Sequence, residues 1–300
     1  ELRALLSQQI RASVAAIANR LEKLTYIGPK RSTVPREMSS ENSLPDSNWG
    51  NGLGAWTWLL NASDAAVENV SEWLGESRLN SGYSLIRERD HVLTNQLWTE
   101  LVNSAGNGVS PELLSELSDS KEVRRLLLRD DRSKGLLHPQ EVGEGICQVI
   151  PIVVALIRHV AQVERRQVTM PALGIANIFI GSPPEFNICI EQPELHLHPA
   201  LAARLGDLFI YAAQSSKRLN ILAETHSEHI ILRLLRRIRQ TADNDLPDHI
   251  PPVKPDDVCV LYVDNLGDGT TIKRLRIDEH GEFIDRWPHG FFSERAEELF

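Results

Sequence analysis

Apolar residues at Leu2, Leu6, Ile10, Val14, Ile17 and Leu21 recur at helical spacing and predict a long helix over 2–24 with one apolar face. Tyr26-Ile27-Gly28-Pro29 ends it, because glycine and proline break the pattern. From Ser39 to Gly54 the chain is rich in Ser, Asn, Pro and Gly, which predicts a mobile loop. Residues 55–130 then predict mainly helix: Trp56 to Leu60, Ala65 to Leu74, Pro111 to Leu117 and Glu122 to Leu128. No chemical motif stands out in that stretch. Residues 1–38 therefore read as a leading helix and Gly-Pro segment, and 39–137 as a helical insertion subdomain.

The periodicity changes after residue 138. Gly143 and Gly145 precede an apolar helix that runs to about Val163. Phe186 to Ile190 and Leu219 to Ala223 are short β-type runs, separated by helical Ala200 to Ala213. Ser227 to Arg239 is helical, with Ile230, Ile231, Leu234, Leu235 and Ile238 on one side and Ser227 suited to cap it. Val258 to Val263 and Thr270 to Ile277 read as two strands, and Asn265-Leu266-Gly267-Asp268-Gly269 between them has hairpin-turn chemistry. Strand alternating with helix predicts an α/β fold with a mostly parallel sheet over 138–300.

Composition narrows the class without changing this layout. At 42% hydrophobic and 24% charged over 300 residues, the chain can bury a core of useful size. A net charge of −9 argues against a surface that is basic throughout, but leaves room for a local basic patch. Arg233, Arg236, Arg237 and Arg239, and also Arg124, Arg125 and Arg129, are the candidates for contact with DNA; the competing reading is a solvated face. Trp49, Trp56, Trp58 and Trp73 read as core rather than as a base-stacking platform. Cys147, Cys189 and Cys259 are scattered and odd in number, which fits free thiols in a reducing, cytoplasmic setting. The longest apolar stretch, Val149 to Ile157, is too short for a membrane span. The chain opens at Glu1 and enters a helix at once, so a preceding segment is expected.

Three segments carry candidate chemistry. In Ile188-Cys189-Ile190-Glu191-Gln192-Pro193-Glu194-Leu195-His196-Leu197-His198-Pro199 an apolar strand ends in a carboxylate. Ligands of α/β sheets sit at such strand ends, and one carboxylate there can hold the water shell of Mg²⁺ beside a nucleotide. In Leu222-Ala223-Glu224-Thr225-His226-Ser227 a second buried run ends in polar residues, which places His226 at the same sheet edge. In Val142-Gly143-Glu144-Gly145-Ile146-Cys147-Gln148 glycines lead into a helix whose open N–H groups attract phosphate.

Together, in this order, the segments resemble the signature (142–151), Walker B/D-loop (188–199) and switch histidine (His226) of ABC-type P-loop ATPases. More narrowly, the chain is similar to the standalone ATPases related to the overcoming-lysogenization-defect nucleases and to ATPase subunits of bacterial antiphage systems. Tyr26-Ile27-Gly28-Pro29-x-Arg31 and Trp287-Pro288-x-Gly290-Phe291-Phe292 extend the likeness, which covers 24–36 and 138–300. The resemblance implies ATP and Mg²⁺ as cofactors. It makes Glu191 the metal-holding acid, Gln192 the occupant of the usual catalytic-glutamate position, and His226 the switch histidine. Gly143, Gly145, Cys147 and Gln148 would meet the γ-phosphate bound by the opposite protomer, with His198 near the dimer seam. A homodimer closed across nucleotide, and a separate nuclease or other effector as partner, are the implied assemblies.

The chain departs from that pattern in three places. No Gly-x-x-x-x-Gly-Lys-Ser/Thr occurs, and the phosphate loop of such ATPases lies upstream of these motifs, so the 300 residues alone are expected to be inactive. Gln192 cannot act as a general base; it can orient water, or Glu191 or Glu194 shares that work. Cys147 replaces the serine hydroxyl usual in the signature. Two other readings compete. One is a degenerate ATPase that serves as a scaffold. The other is a metal-dependent hydrolase built from His196, His198, Glu224, His226, Glu228 and His229.

Overall fold

The computed structural model describes residues 11–287 apart from 12–13, 16–17, 19–20, 22, 37–47, 105–107, 165–166, 171–174, 180–185, 216–218 and 266–268. Most of the helix expected over 2–24, most of the loop over 39–54 and all of 288–300 lie outside the described residues.

Arg11, Val14, Ala15, Ala18 and Leu21 are helical, and a strand, β1 (Leu24–Ile27), follows where the sequence pattern predicted only the end of a helix. Helices α1 (Leu53–Asn61) and α2 (Asp64–Leu74) follow, then β2 (Tyr83–Val92), α3 (Asn95–Ser104), α4 (Pro111–Ser118), β3 (Lys121–Asp130) and the short β4 (Leu136–Leu137). The reading of Glu122 to Leu128 as helix is corrected: these residues are strand, paired antiparallel with β2 from Tyr83↔Asp130 to Val92↔Lys121. Three successive leucines, Leu126 to Leu128, fit either period. The partner strand decides, burying Leu85, Leu126 and Leu128. The segment 39–137 thus combines helices with a three-stranded antiparallel sheet, β2-β3-β4.

The second half is built on α5 (Glu144–Glu164), α6 (Pro199–Ser215) and α7 (Glu228–Ala242), with strands β5 (Gln167–Met170), β6 (Ile175–Phe179), β7 (Phe186–Glu191), β8 (Leu219–Glu224), β9 (Val260–Asn265) and β10 (Thr270–Leu275). β9 and β10 pair antiparallel, as the turn residues between them predict. Strands β1, β7 and β8 form a parallel sheet in the order β1-β7-β8.

Helix α5 carries the apolar run 149–157 and runs through the centre. Val149, Ile150, Ile152, Val153, Val154, Ala155 and Leu156 are fully buried. Its segment Glu144–Ala161 is long and apolar enough to cross a membrane, but 72% of it is buried inside the protein, as in a core helix. Around it pack Trp56, Leu59 and Leu60 of α1, Val70, Trp73 and Leu74 of α2, Ile188 and Ile190 of β7, and Leu205 and Leu208 of α6. Trp49, Trp56 and Trp73 are buried and Trp58 packs against the same cluster, so the tryptophans are core residues.

The other face of the parallel sheet is open: Tyr26 is 42% and Leu222 62% exposed. The arginines at the ends of these layers are largely engaged. Arg87 donates to the carbonyls of Leu59, Leu60 and Ala62, and Arg124 to that of Leu60, so both satisfy the last turn of α1. Arg237 is buried against Asp207, which also meets Arg233. Arg239 donates to the carbonyl of His280. Of the α7 arginines, Arg233 and Arg237 are engaged by Asp207, whereas Arg236 and Arg239 are exposed, as in a solvated face.

Candidate functional site

Glu191 is the last residue of β7, and its register partner Glu224 is the last of β8. Both strands are short apolar runs that end where polar residues begin, so two carboxylates emerge side by side at the C-terminal edge of a parallel sheet. The chain then turns sharply. Gln192 has φ 43° and His196 φ 61°, both in the left-handed region, and the Gln192 N–H donates to the Glu224 carbonyl at 2.9 Å. Leu195 N–H returns to the Gln192 carbonyl at 3.1 Å, and Leu197 N–H to that of Glu194 at 2.9 Å.

Glu194 is the hinge between the two strand exits. Its carboxylate accepts from the Thr225 hydroxyl at 2.7 Å and from the His226 backbone N–H at 2.7 Å. Both oxygens are therefore occupied in shaping the His226 loop. The imidazole of His226 is largely exposed, with Nε2 3.1 Å from a Glu224 oxygen. Ser227 stands at the N-cap position of α7, but its side chain makes no capping hydrogen bond; its N–H donates instead to the Thr225 hydroxyl.

The Tyr26 to Arg31 segment closes the floor beneath Glu191. The Tyr26 hydroxyl donates to Glu191 Oε1 at 2.9 Å, and that hydrogen bond to the carboxylate raises the phenol pKa above its ordinary value. Arg31 is buried. One guanidinium nitrogen donates to the carbonyls of Glu191 at 2.5 Å and Gln192 at 3.0 Å, and another to that of Gln148 at 3.3 Å. Burial lowers its pKa to about 10, offset in part by the Glu194 carboxylate.

Gly143 and Gly145 lie where α5 starts, and α5 meets the turn after β7 at close quarters. A Cβ on Gly145 would sit 2.4 Å from the His196 carbonyl oxygen, so only glycine permits this approach. Gly143, Gly145 and Ile146, with His196, His198, Ala200 and Arg204, line a shallow pocket of about 380 Å³ whose far wall is Leu79, Asn80 and Ser81. His198 leads into α6, with its Nδ1 accepting from the Ala200 N–H at 3.3 Å. Arg204 is held by the carbonyls of Glu76 and Arg78. Neither Asn80 nor Arg204 is singled out by the sequence motifs, because both come from elements folded against the pocket from outside them.

Two residues of the signature-like segment point elsewhere. The Cys147 thiol is buried and donates to the Pro139 carbonyl at 2.8 Å, and burial pushes its pKa up to about 12. The Gln148 amide is buried against the backbone of Arg31, accepting from its N–H at 3.0 Å and donating to its carbonyl at 2.8 Å. In this conformation neither side chain lines the pocket. The open groups at this end are the glycines and the first N–H groups of α5.

The histidine-rich metal site is also corrected. Among the described residues no three His, Cys, Asp or Glu side chains converge on a position that could hold a metal ion. His196 turns toward Glu144 at 3.5 Å, whereas His226 turns toward Glu224. A single strand-end carboxylate with a free face still fits Mg²⁺, which takes one or two protein oxygens and fills the rest of its shell with water and phosphate.

Residues 87–232 match the family of AAA domains described with the AbiEii toxin of Type IV TA systems. Residues 253–300 match DUF3696, a family of unknown function. Two solved structures are similar at 12% identity. One comes from work on ATP-driven dimerization and DNA-stimulated activation of SMC ATPases, with TM-score 0.36 over 78% of this chain and 91% of that one. The other is the SmcHead bound to the C-winged helix domain of ScpA, with TM-score 0.38 over 80% of this chain and 49% of that one. No curated protein matches the chain. The AAA-domain match spans β7, the Glu191 turn, β8 and the His226 loop, so the stretch that carries the strand-end carboxylates is similar to that family.

Proposed function

We propose that this chain carries one half of a composite ATP site, closed across a homodimer, and that nucleotide state is relayed to a partner effector. The observation that supports this best is the pairing of Glu191 and Glu224 at the ends of two adjacent parallel strands, with Glu194 pinning the His226 loop against them. Glu191 would hold Mg²⁺ through water, since one oxygen is steadied by Tyr26 and the other is free of protein partners among the described residues. Mg²⁺, when bound, supplies charge neutralisation at the transferred phosphoryl group. His226 is exposed and within reach of the same edge, where an imidazole can contact phosphate or orient water. Gln192 can position water but cannot deprotonate it. Glu194 is a support for the loop rather than a base, because both its oxygens are engaged.

The pocket between Gly145, His198 and Arg204 supports a second role. It gathers a long helix's open N–H groups and a cation on the face where an opposite protomer would present phosphate. An effector such as a separate nuclease, and a setting in antiphage defence, rest on the resemblance and on the family description that includes a toxin. Gln192 favours a second reading, a scaffold in which nucleotide holds the dimer without fast turnover.

The test is Mg²⁺-ATP hydrolysis by the full-length protein. Glu191→Ala and His226→Ala are each expected to lower kcat by at least about 10²-fold, as loss of one preorganised group does, with the melting temperature held. Wild-type turnover in both variants would overturn the site. ATP-dependent dimerisation without measurable turnover would select the scaffold.

A further inference from the structure

The Tyr26–Arg31 segment is a sequence motif to which the ATPase reading gives no catalytic task. Its geometry supplies a positioning one. Arg31 reaches three backbone carbonyls with its guanidinium: Gln148 in the first turns of α5, and Glu191 and Gln192 at the exit of β7. Its own backbone is gripped on both sides by the Gln148 amide. The glycines around it allow no slack. A Cβ on Gly28 would lie 2.8 Å from the Gly50 carbonyl oxygen, and one on Gly52 would lie 3.1 Å from both Arg31 Cβ and Pro151 Cγ. Tyr26, two strands' width from β8, meets the Glu191 carboxylate directly.

Gln192 needs such support. A non-glycine residue at φ 43° holds an uncommon conformation that persists only where its surroundings over-determine it. The Arg31 hydrogen bond to the Gln192 carbonyl, the Gln192 N–H bond to Glu224 and the Leu195 N–H bond to the Gln192 carbonyl are the described restraints.

We infer that Arg31 and Tyr26 are positioning residues for the strand-end site. Arg31 locks the Gln192 backbone in its left-handed conformation and ties it to α5, and Tyr26 fixes the rotamer of the Glu191 carboxylate. Because the same guanidinium binds Gln148, a shift of the α5 N-terminus cannot occur without moving the Glu191–Gln192 peptide. The glycine-led helix end and the strand-end carboxylate are therefore one mechanical unit within the chain. Lysine cannot replace this function, since it lacks the planar fork that serves several carbonyls at once.

The inference rests on the ATPase reading for its effect on turnover, but not for its effect on the backbone. The experiment uses the full-length protein as wild type, Arg31→Lys and Tyr26→Phe, with two readouts. The first is hydrogen exchange without nucleotide. Arg31→Lys is expected to speed exchange across 192–198 by about tenfold, the loss of one charge-assisted hydrogen bond, while exchange in α5 beyond Val149 stays at the wild-type rate. The second is steady-state kinetics. Arg31→Lys is expected to lower kcat about tenfold at unchanged KM for ATP. Tyr26→Phe, which keeps the ring, is expected to raise the half-saturating Mg²⁺ concentration several-fold, on the order of 3–10-fold, at unchanged exchange. Unchanged exchange across 192–198 in Arg31→Lys overturns the locking role, and a wild-type Mg²⁺ dependence in Tyr26→Phe overturns the carboxylate role. Accelerated exchange throughout the protein would make Arg31 a general stability residue and also overturn it. If the wild type neither binds nor hydrolyses ATP, the functional proposal falls, and the exchange readout alone decides whether Arg31 positions Gln192.

Discussion

Cys147 shows how far a residue's setting can depart from its place in a motif. Its thiol is buried, bonded to a carbonyl and raised to about 12, so almost no thiolate exists at neutral pH. Cys259 is exposed. Alkylation of the native protein at pH 8 is therefore expected to modify Cys259 first and Cys147 only after denaturation, which peptide mass mapping reads directly. The same shift has a sign for stability. The free thiol ionises near 9 and the folded one about 12, so the folded state binds the proton more tightly. Its contribution is complete below pH 9 and fades as pH rises through that window. At this scale the placement of Glu191 and His226 at one sheet edge was legible, because an apolar run ending in polar residues is a local signal. The sequence did not disclose the work of Tyr26 and Arg31, whose partners lie 165 and 161 residues away. One clue was available. Gln148 stands at the start of the helix's apolar run, and a buried amide must find partners.

Elements followed their patterns wherever the period was clear and a partner was not needed to decide. Helices α1, α2, α4, α6 and α7 and strands β7 and β8 lie within a few residues of the ranges their periodicity predicts. β1 was hidden because its four residues continue the apolar rhythm of the preceding helix, and only pairing with β7 makes them a strand. β3 was misread because leucines and arginines favour helix locally, whereas ten register pairs with β2 override that preference. The contact of α6 with α7 was also unforeseen, since an arginine run looks solvated. Arg237 and Asp207 instead form a buried pair with bonds at 2.7 and 2.9 Å. Arg237→Ala strands the Asp207 charge and is expected to cost about 3–5 kcal/mol, measured by urea denaturation. A loss under about 1 kcal/mol would mean that Arg233 takes over the partner.

The whole molecule turns on α5, which contacts the helices of the first half, the parallel sheet and α6. Leu156, fully buried in its middle, touches this shared core. Leu156→Ala is expected to destabilise by about 2–5 kcal/mol and to shift helix and sheet signals together. Separate transitions would show that the two halves have independent cores. The α/β class and the order of motifs were legible because they are local; the closing of the sheet was not, because it joins Leu24 to Asn187. That join sets a timetable. A ribosome adding about 5–20 residues per second needs between about 8 and 30 s to travel from β1 to β7. For that interval Ile27 has no sheet and Arg31 lacks the Glu191 and Gln192 carbonyls, and the nascent chain must keep this strand from other partners until β7 has been made.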